Sequence, residues 1–323
     1  MDPVKLLEEL VKIESTSGKE QKIGEYLADI CGTLGFDVEK QKVGNAFNII
    51  AKKGKPKKIL TAHMDTVQPY VPLKKKGEYL YGRGTCDTKG SIAAMVCAGE
   101  KLFDLIDDFG LVFTVDEERG FEGAKKAAPL VRPKFFVVGE PSGNACVFGQ
   151  KGIVVAHVKF KGKAGHSSMP QLGESAVLKM NDAMNRLLKI RLTKGEFVNI
   201  GVVKGGIADN VIPDYAEMRV SFRTVGNNTV LIRKIREACS NGKVTIENCI
   251  ESVRMPRVVK CKRSVDLYPA FTEMFFWWKA GGIGVICGPG KLEDAHSKNE
   301  KIRIKELREA VDIYMNLMLT AKT

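Results

Sequence analysis

Short apolar runs alternate with helical patterns through the first part of the chain. "FNIIAKK" and "KILTAHMD" read as strands, followed by a helix in "GSIAAMVCAGEKLF" and further strands in "GLVFTVDEE" and "KFFVVGEPS". "GIGVICGPG" repeats the strand style much later. Such alternation predicts a largely parallel sheet flanked by helices. The pattern changes near Lys151. From "GIVVAHVKFKGKAGHSS" through "EMRVSFRTV" to "VTIENCIESV" apolar and polar residues alternate, with helices in "ESAVLKMNDAMNRLLK" and "VLIRKIREACS" between them. That is the pattern of an antiparallel sheet covered on one face. The first style resumes around Val265. The expected organisation is an α/β domain of residues 1–150 and 260–323, with a smaller α+β domain, residues 151–259, inserted in it. "MFFWWK" at 274–279 reads as a helix packed into the core rather than the lining of an acyl pocket.

Composition narrows the class. With 323 residues, 44% hydrophobic and 28% charged, the chain has the balance of a globular protein of two domains. No stretch approaches the ~18 apolar residues of a membrane span. The start, "MDPVKLLEELVKIES", has an amphipathic helix pattern and not that of a signal peptide, so a cytoplasmic location is expected. Eight cysteines form no Cys-x-x-Cys pair and read as small buried hydrophobes. The net charge of +13 gathers in "AKKGKPKK", "KKK" at 74–76 and "KNEKIRIKELR". No aromatics are interleaved there, which argues against a nucleic-acid surface. Solvated lysine-rich faces are the plain reading, and an acidic partner stays open.

The chemistry gathers at strand ends. His63 and Asp65 follow the strand-like segment Lys58–Ala62, Glu117 and Glu118 follow "GLVFTVD", Glu140 ends "KFFVVG", and His296 lies beyond "GIGVICGPG". Asp87 sits in "GRGTCDTKGS", a glycine-rich loop entering a helix, whose spacing is not that of a P-loop. Singly, each has an ordinary reading: "DEE" as surface charge, His157 as a strand residue, His166 as a loop residue. Together they converge on one sheet edge, where ligands sit in open α/β folds. Two histidines and three or more carboxylates, with no cysteine, suit Zn²⁺, Mn²⁺ or Co²⁺.

"AHMDTV", "GRGTCDTKG", "TVDEE", "GEPS", "GHSS", "NVIPD" and "GPG…AHSKNE" occur in this order between residues 62 and 300. In this the chain resembles the zinc-dependent aminoacylase and carboxypeptidase superfamily, and within it acetylornithine deacetylases and succinyl-diaminopimelate desuccinylases. The resemblance implies a di-zinc exopeptidase-like domain with an inserted lid or dimerisation domain. It implies two divalent ions, Zn²⁺ or else Co²⁺ or Mn²⁺, bridged by Asp87. His63 and Glu140 would complete one site, Glu118 and His296 the other. Glu117 is then the general base, and Asp65 accepts the second ring N–H of His63 and fixes its tautomer. His166, Asn210 and Arg223 match substrate-contacting positions, with His166 reaching a partner's site in a homodimer, and Gly288 and Gly290 would let backbone approach the substrate. The implied reaction is hydrolysis of a small N-acyl amino acid in amino-acid biosynthesis, deacetylation of acetylornithine first. Alternatives are a desuccinylase, a hydrolase freeing lysine or ornithine from an acidic carrier protein, a metallo-dipeptidase, and a catalytically silent binding protein. Two departures stand out: the chain is short for this superfamily, and Arg119 follows "DEE" where relatives often carry a small residue.

Overall fold

Strand Lys58–His63 lies inside an eight-stranded sheet of a computed structural model that describes residues 1–322. The strand order is Asp37–Val43, Ala46–Lys53, Phe109–Thr114, Lys58–His63, Phe135–Val138, Ile283–Ile286, Cys146–Val147 and Ser264–Val265. The middle four strands run parallel to one another, with His63 level with Thr114, Thr61 with Val138, and Ile286 with Val138. Each is a nearly unbroken buried apolar run, as a strand covered on both faces must be. The first two strands form an antiparallel hairpin turned by Gly44 at φ +58°, and they add to Phe109–Thr114 antiparallel.

Helices cover both faces. In Ala46–Lys53, the Phe47 ring packs on Gly24 of helix Gln21–Thr33, while Asn48 Nδ2 donates to Gly123 O of helix Glu122–Val131. Adjacent strand residues thus address opposite layers. Helix Pro3–Lys12 begins with Asp2, whose side chain accepts from Val4 N, and buries Leu6, Leu7, Leu10 and Val11. It packs on helix Lys89–Leu102, and both meet helix Ile304–Thr320. Helix Met274–Lys279 buries Met274 and Trp277, while Trp278 remains 46% exposed, so the aromatic run is only half core.

The chain divides into two compact units, residues 1–149 with 254–268 and 272–323, and residues 150–253 with 269–271. Residues 254–259, assigned from sequence to the insertion, belong to the first unit, where Met255 N donates to Phe148 O. The second unit holds an antiparallel sheet ordered Phe197–Gly205, Tyr215–Thr224, Gly152–Lys161, Lys243–Ile250. Val154, Ala156, Val158 and Phe160 face helices Ala176–Leu188 and Thr229–Ala238. The opposite face carries His157, bonded to Glu217 at 3.0 Å, a structural strand residue.

One expectation fails. Cys146 and Cys261 form a disulfide, because the pairing of Ser264 with Cys146 brings the preceding segment back over that strand. Cys31, Cys86, Cys97, Cys239 and Cys287 are buried as expected, and Cys249 is exposed. Among the described residues no helix is long and apolar enough to cross a membrane.

Candidate metal centre

The four parallel strands present their carboxyl ends side by side, and the loops leaving those ends build the site. His63 closes its strand. Its Nδ1 lies 2.9 Å from the carbonyl of Asp65, which can only accept, so Nδ1 carries the hydrogen. Nε2 then turns its lone pair to Asp87 Oδ1 at 3.0 Å. Two acceptors at this distance need a proton or a cation between them. Thr88 Oγ1 donates to His63 O at 2.7 Å and locks the start of helix Lys89–Leu102 to the strand end.

Asp87 faces both histidines, its Oδ2 lying 3.2 Å from His296 Nε2. That nitrogen is also 3.1 Å from Glu118 Oε1. His296 holds φ +59°, a left-handed backbone uncommon outside glycine, in the loop beyond strand Ile283–Ile286. Two ligand-like groups result, His63–Asp87–Glu140 and Asp87–Glu118–His296, the ligand atoms within each lying within 4.8 Å of one another. Glu140 Oε1 is buried without a hydrogen-bond partner, 4.0 Å from His63 Nε2.

Electrostatics describe the same crowding. Burial pushes Glu140 up to about 8, with Asp87, Glu273 and Glu118 adding to the rise against the pull of His63. Glu117 is raised well above its ordinary range by burial, and by Glu140, Glu118 and Asp65 against His63. Burial disfavours charge on Asp87, yet hydrogen bonds with His296 and His63 outweigh it and hold this carboxyl low. For His63 burial is likewise outweighed, by Asp65 and Asp87, and the ring rises. Asp87 and Glu118 lift His296 to about 10. An orphaned carboxylate oxygen, a shared aspartate and a donor set of imidazole and carboxylate only fit divalent ions of the zinc class.

Asp65 behaves differently from the sequence expectation. Its carboxylate is 3.6 Å from His63 Nδ1, and the ring's hydrogen bond goes to its backbone carbonyl instead. The two oxygens accept the backbone N–H of Glu117 at 3.0 Å and of Glu118 at 3.1 Å, with Ser17 Oγ at 2.8 Å. Strand Phe109–Thr114 has ended there, so these amides have no ladder partner and a buried carboxylate supplies one. Asp116 turns the chain at φ +63° just before them, and Arg119 folds back onto Asp116 at 2.9 Å.

Gly288 and Gly290 leave no room for a side chain. A Cβ on Gly288 would stand 2.6 Å from both Glu140 O and Ser91 Oγ, and one on Gly290, at φ +82°, 2.5 Å from Cys86 Cβ. Both glycines stand close against the loops of Glu140 and Asp87. In the second unit His166 is exposed and bridges Val211, with Ser167 N donating to Asn210 O at 3.1 Å, so His166 and Asn210 share one loop pair. Arg223 lies on strand Tyr215–Thr224, level with Ile153 and Phe197. Sequence reasoning missed Glu273, a buried carboxyl bonded to Thr114 Oγ1 and, at 3.2 Å, to Thr61 Oγ1. Its only signal was an acid beside an aromatic helix.

Known proteins share this architecture. A family model described as peptidase family M20/M25/M40 matches residues 59–320. A probable carboxypeptidase of Arthroderma gypseum is 31% identical over 382 residues, covering 97% of this chain and 83% of that protein. Among solved structures, a Staphylococcus aureus tripeptidase superposes with TM-score 0.87 at 23% identity, covering 98% of this chain and 96% of that one. An M20 family metallo-carboxypeptidase from Sulfolobus solfataricus gives 0.81 at 16% identity, covering 99% of both.

Proposed function

This chain belongs to peptidase family M20/M25/M40 and is a metallohydrolase of amide bonds, and on that premise we propose its substrate and the roles of its residues. The substrate is a small amide whose amine half is an α-amino acid, N-acetylornithine being the first member. The observation that carries the hydrolytic reading is the pair of ligand groups sharing Asp87, and the order of the motifs from "AHMDTV" to "AHSKNE" supports the acetylornithine substrate. His63, Asp87 and Glu140 would hold one zinc-class ion, and Asp87, Glu118 and His296 a second. When bound, such ions supply Lewis acidity toward the scissile carbonyl.

The chain's own groups do the rest. Glu117 takes the proton of the attacking water and passes it to the leaving amine nitrogen. Glu117 belongs to neither ligand group, so its carboxylate stays free to take that proton and return it. Asp65 keeps Glu117 and Glu118 in register by accepting both of their amides. His166, Asn210 and Arg223 bind substrate, Arg223 taking the α-carboxylate as a bidentate guanidinium can, in a homodimer.

A second reading is carboxypeptidase or dipeptidase action, favoured by the probable carboxypeptidase at 31% identity. The net charge of +13 keeps an acidic carrier protein as a third substrate form. The deciding experiment is a panel of N-acetyl and N-succinyl amino acids, dipeptides and carrier-linked lysine, each with the Zn²⁺- or Co²⁺-loaded protein. Turnover of acetylornithine above all others bears the proposal out. Preference for dipeptides moves it to the second reading, salt-sensitive cleavage of the carrier conjugate alone moves it to the third, and no turnover of any member returns the silent binding protein.

A further inference from the structure

Behind the shared aspartate lies a buried ion pair that the proposed chemistry does not use. Arg83 and Glu300 are 2% and 1% exposed, and Arg83 Nη1 donates to Glu300 Oε2 at 2.6 Å. The other oxygen, Glu300 Oε1, accepts the backbone N–H of Cys86 at 3.1 Å and of Asp87 at 3.2 Å. Arg83 aims its Nε at Pro69 O, 3.2 Å away, and its Nη1 also at Ser297 O, 3.3 Å away. One carboxylate therefore grips the peptide unit that carries Asp87, and its guanidinium partner grips the residue after His296.

Stability alone does not call for this pair. Removing two charges from water is costly, and apolar replacements of buried pairs are often neutral or stabilising. What an apolar pair could not do is accept two consecutive amides in a loop with no strand or helix partner for them. The arrangement repeats on the other side of the site, where Asp65 accepts the amides of Glu117 and Glu118. In both loops the backbone is held by a carboxylate so that the side chains remain free to face the centre.

We propose that Glu300 is a positioning residue that, with Arg83, sets the spacing between Asp87 and His296 and so governs how tightly the second ion is held. This rests on the reading of Asp87 as a ligand shared by two ions. The test is Co²⁺ and Zn²⁺ titration of the full chain, native and Glu300→Gln, monitored by visible absorption of bound cobalt and by metal content after dialysis.

The native chain is expected to take up two ions. Glu300→Gln, folded by circular dichroism, should bind one of its two ions about 10–100-fold less tightly, the range for outer partners of metal ligands. Its cobalt spectrum should change, and kcat should fall while KM holds. A folded Glu300→Gln protein with native affinity for both ions and a native cobalt spectrum overturns the proposal. Should the unpaired guanidinium prevent folding, Arg83→Met with Glu300→Gln removes both charges and is judged against the native chain by the same two outcomes. A native chain that takes up only one ion sinks the shared-ligand reading itself, and with it this inference.

Discussion

A general base must sit beside the reacting centre without becoming one of its ligands, and the role proposed for Glu117 depends on its neighbour being the ligand instead. Glu118 reaches His296 at 3.1 Å, while Glu117 belongs to neither ligand group. Glu117→Gln is therefore expected to keep bound metal and lose at least ~10²-fold in kcat, the low end for removing a general base. Near-native turnover would remove the role from this residue. Asp87→Ala should instead lose both ions, read directly as metal content after dialysis, because one side chain serves two groups. These groups were legible because histidines and acids closed several apolar runs at once. The carboxylates that hold the loops were not. Asp65 was visible as an acid near a histidine, but its partners are amides fifty residues away, and no side-chain pattern announces a backbone donor.

Among elements, helix Lys89–Leu102 shows how close packing fixes the site. Gly90 lies in its first turn, where glycine ordinarily costs about 1 kcal/mol against alanine. Here the sign reverses, since a Cβ on Gly90 would stand 2.4 Å from Thr85 O and 2.8 Å from Ile302 Cδ1. Gly90→Ala should lower unfolding free energy by about 1–3 kcal/mol, the usual cost of overpacking, measured by urea denaturation. A more stable variant would show that the loop before Asp87 yields easily. The alternation of strands and helices and the largely parallel sheet were legible from period and burial, but which strands depart from that direction was not. Ala46–Lys53 and Lys58–His63 are similar apolar runs, yet the first pairs antiparallel with Phe109–Thr114 and the second parallel. A run buried on both faces carries no mark of its direction.

At the scale of the molecule, both candidate ligand groups belong to the first unit. Chelation should therefore weaken that unit by about 2.7 kcal/mol for each site held at ~100 times its Kd. Hydrogen exchange would show it: the amides of Lys58–His63 should lose protection while those of Gly152–Lys161 keep theirs. Equal loss in both units would mean that metal and fold are coupled through the whole chain. The change of sheet style near Lys151 was legible as a change of period. The disulfide was not, since cysteine spacing says nothing about which strands meet. That bond joins residues 115 apart in sequence, and residues 150–253 lie wholly within the span it closes. Residues 150–253 are thus a covalent bight closed by that bond. A protease that nicks its exposed Phe197–Gly205 strand or the loop after it should leave one molecule of undiminished mass on a non-reducing gel, parting into two pieces only when a thiol is added. Separation without a thiol would mean that the bond is open.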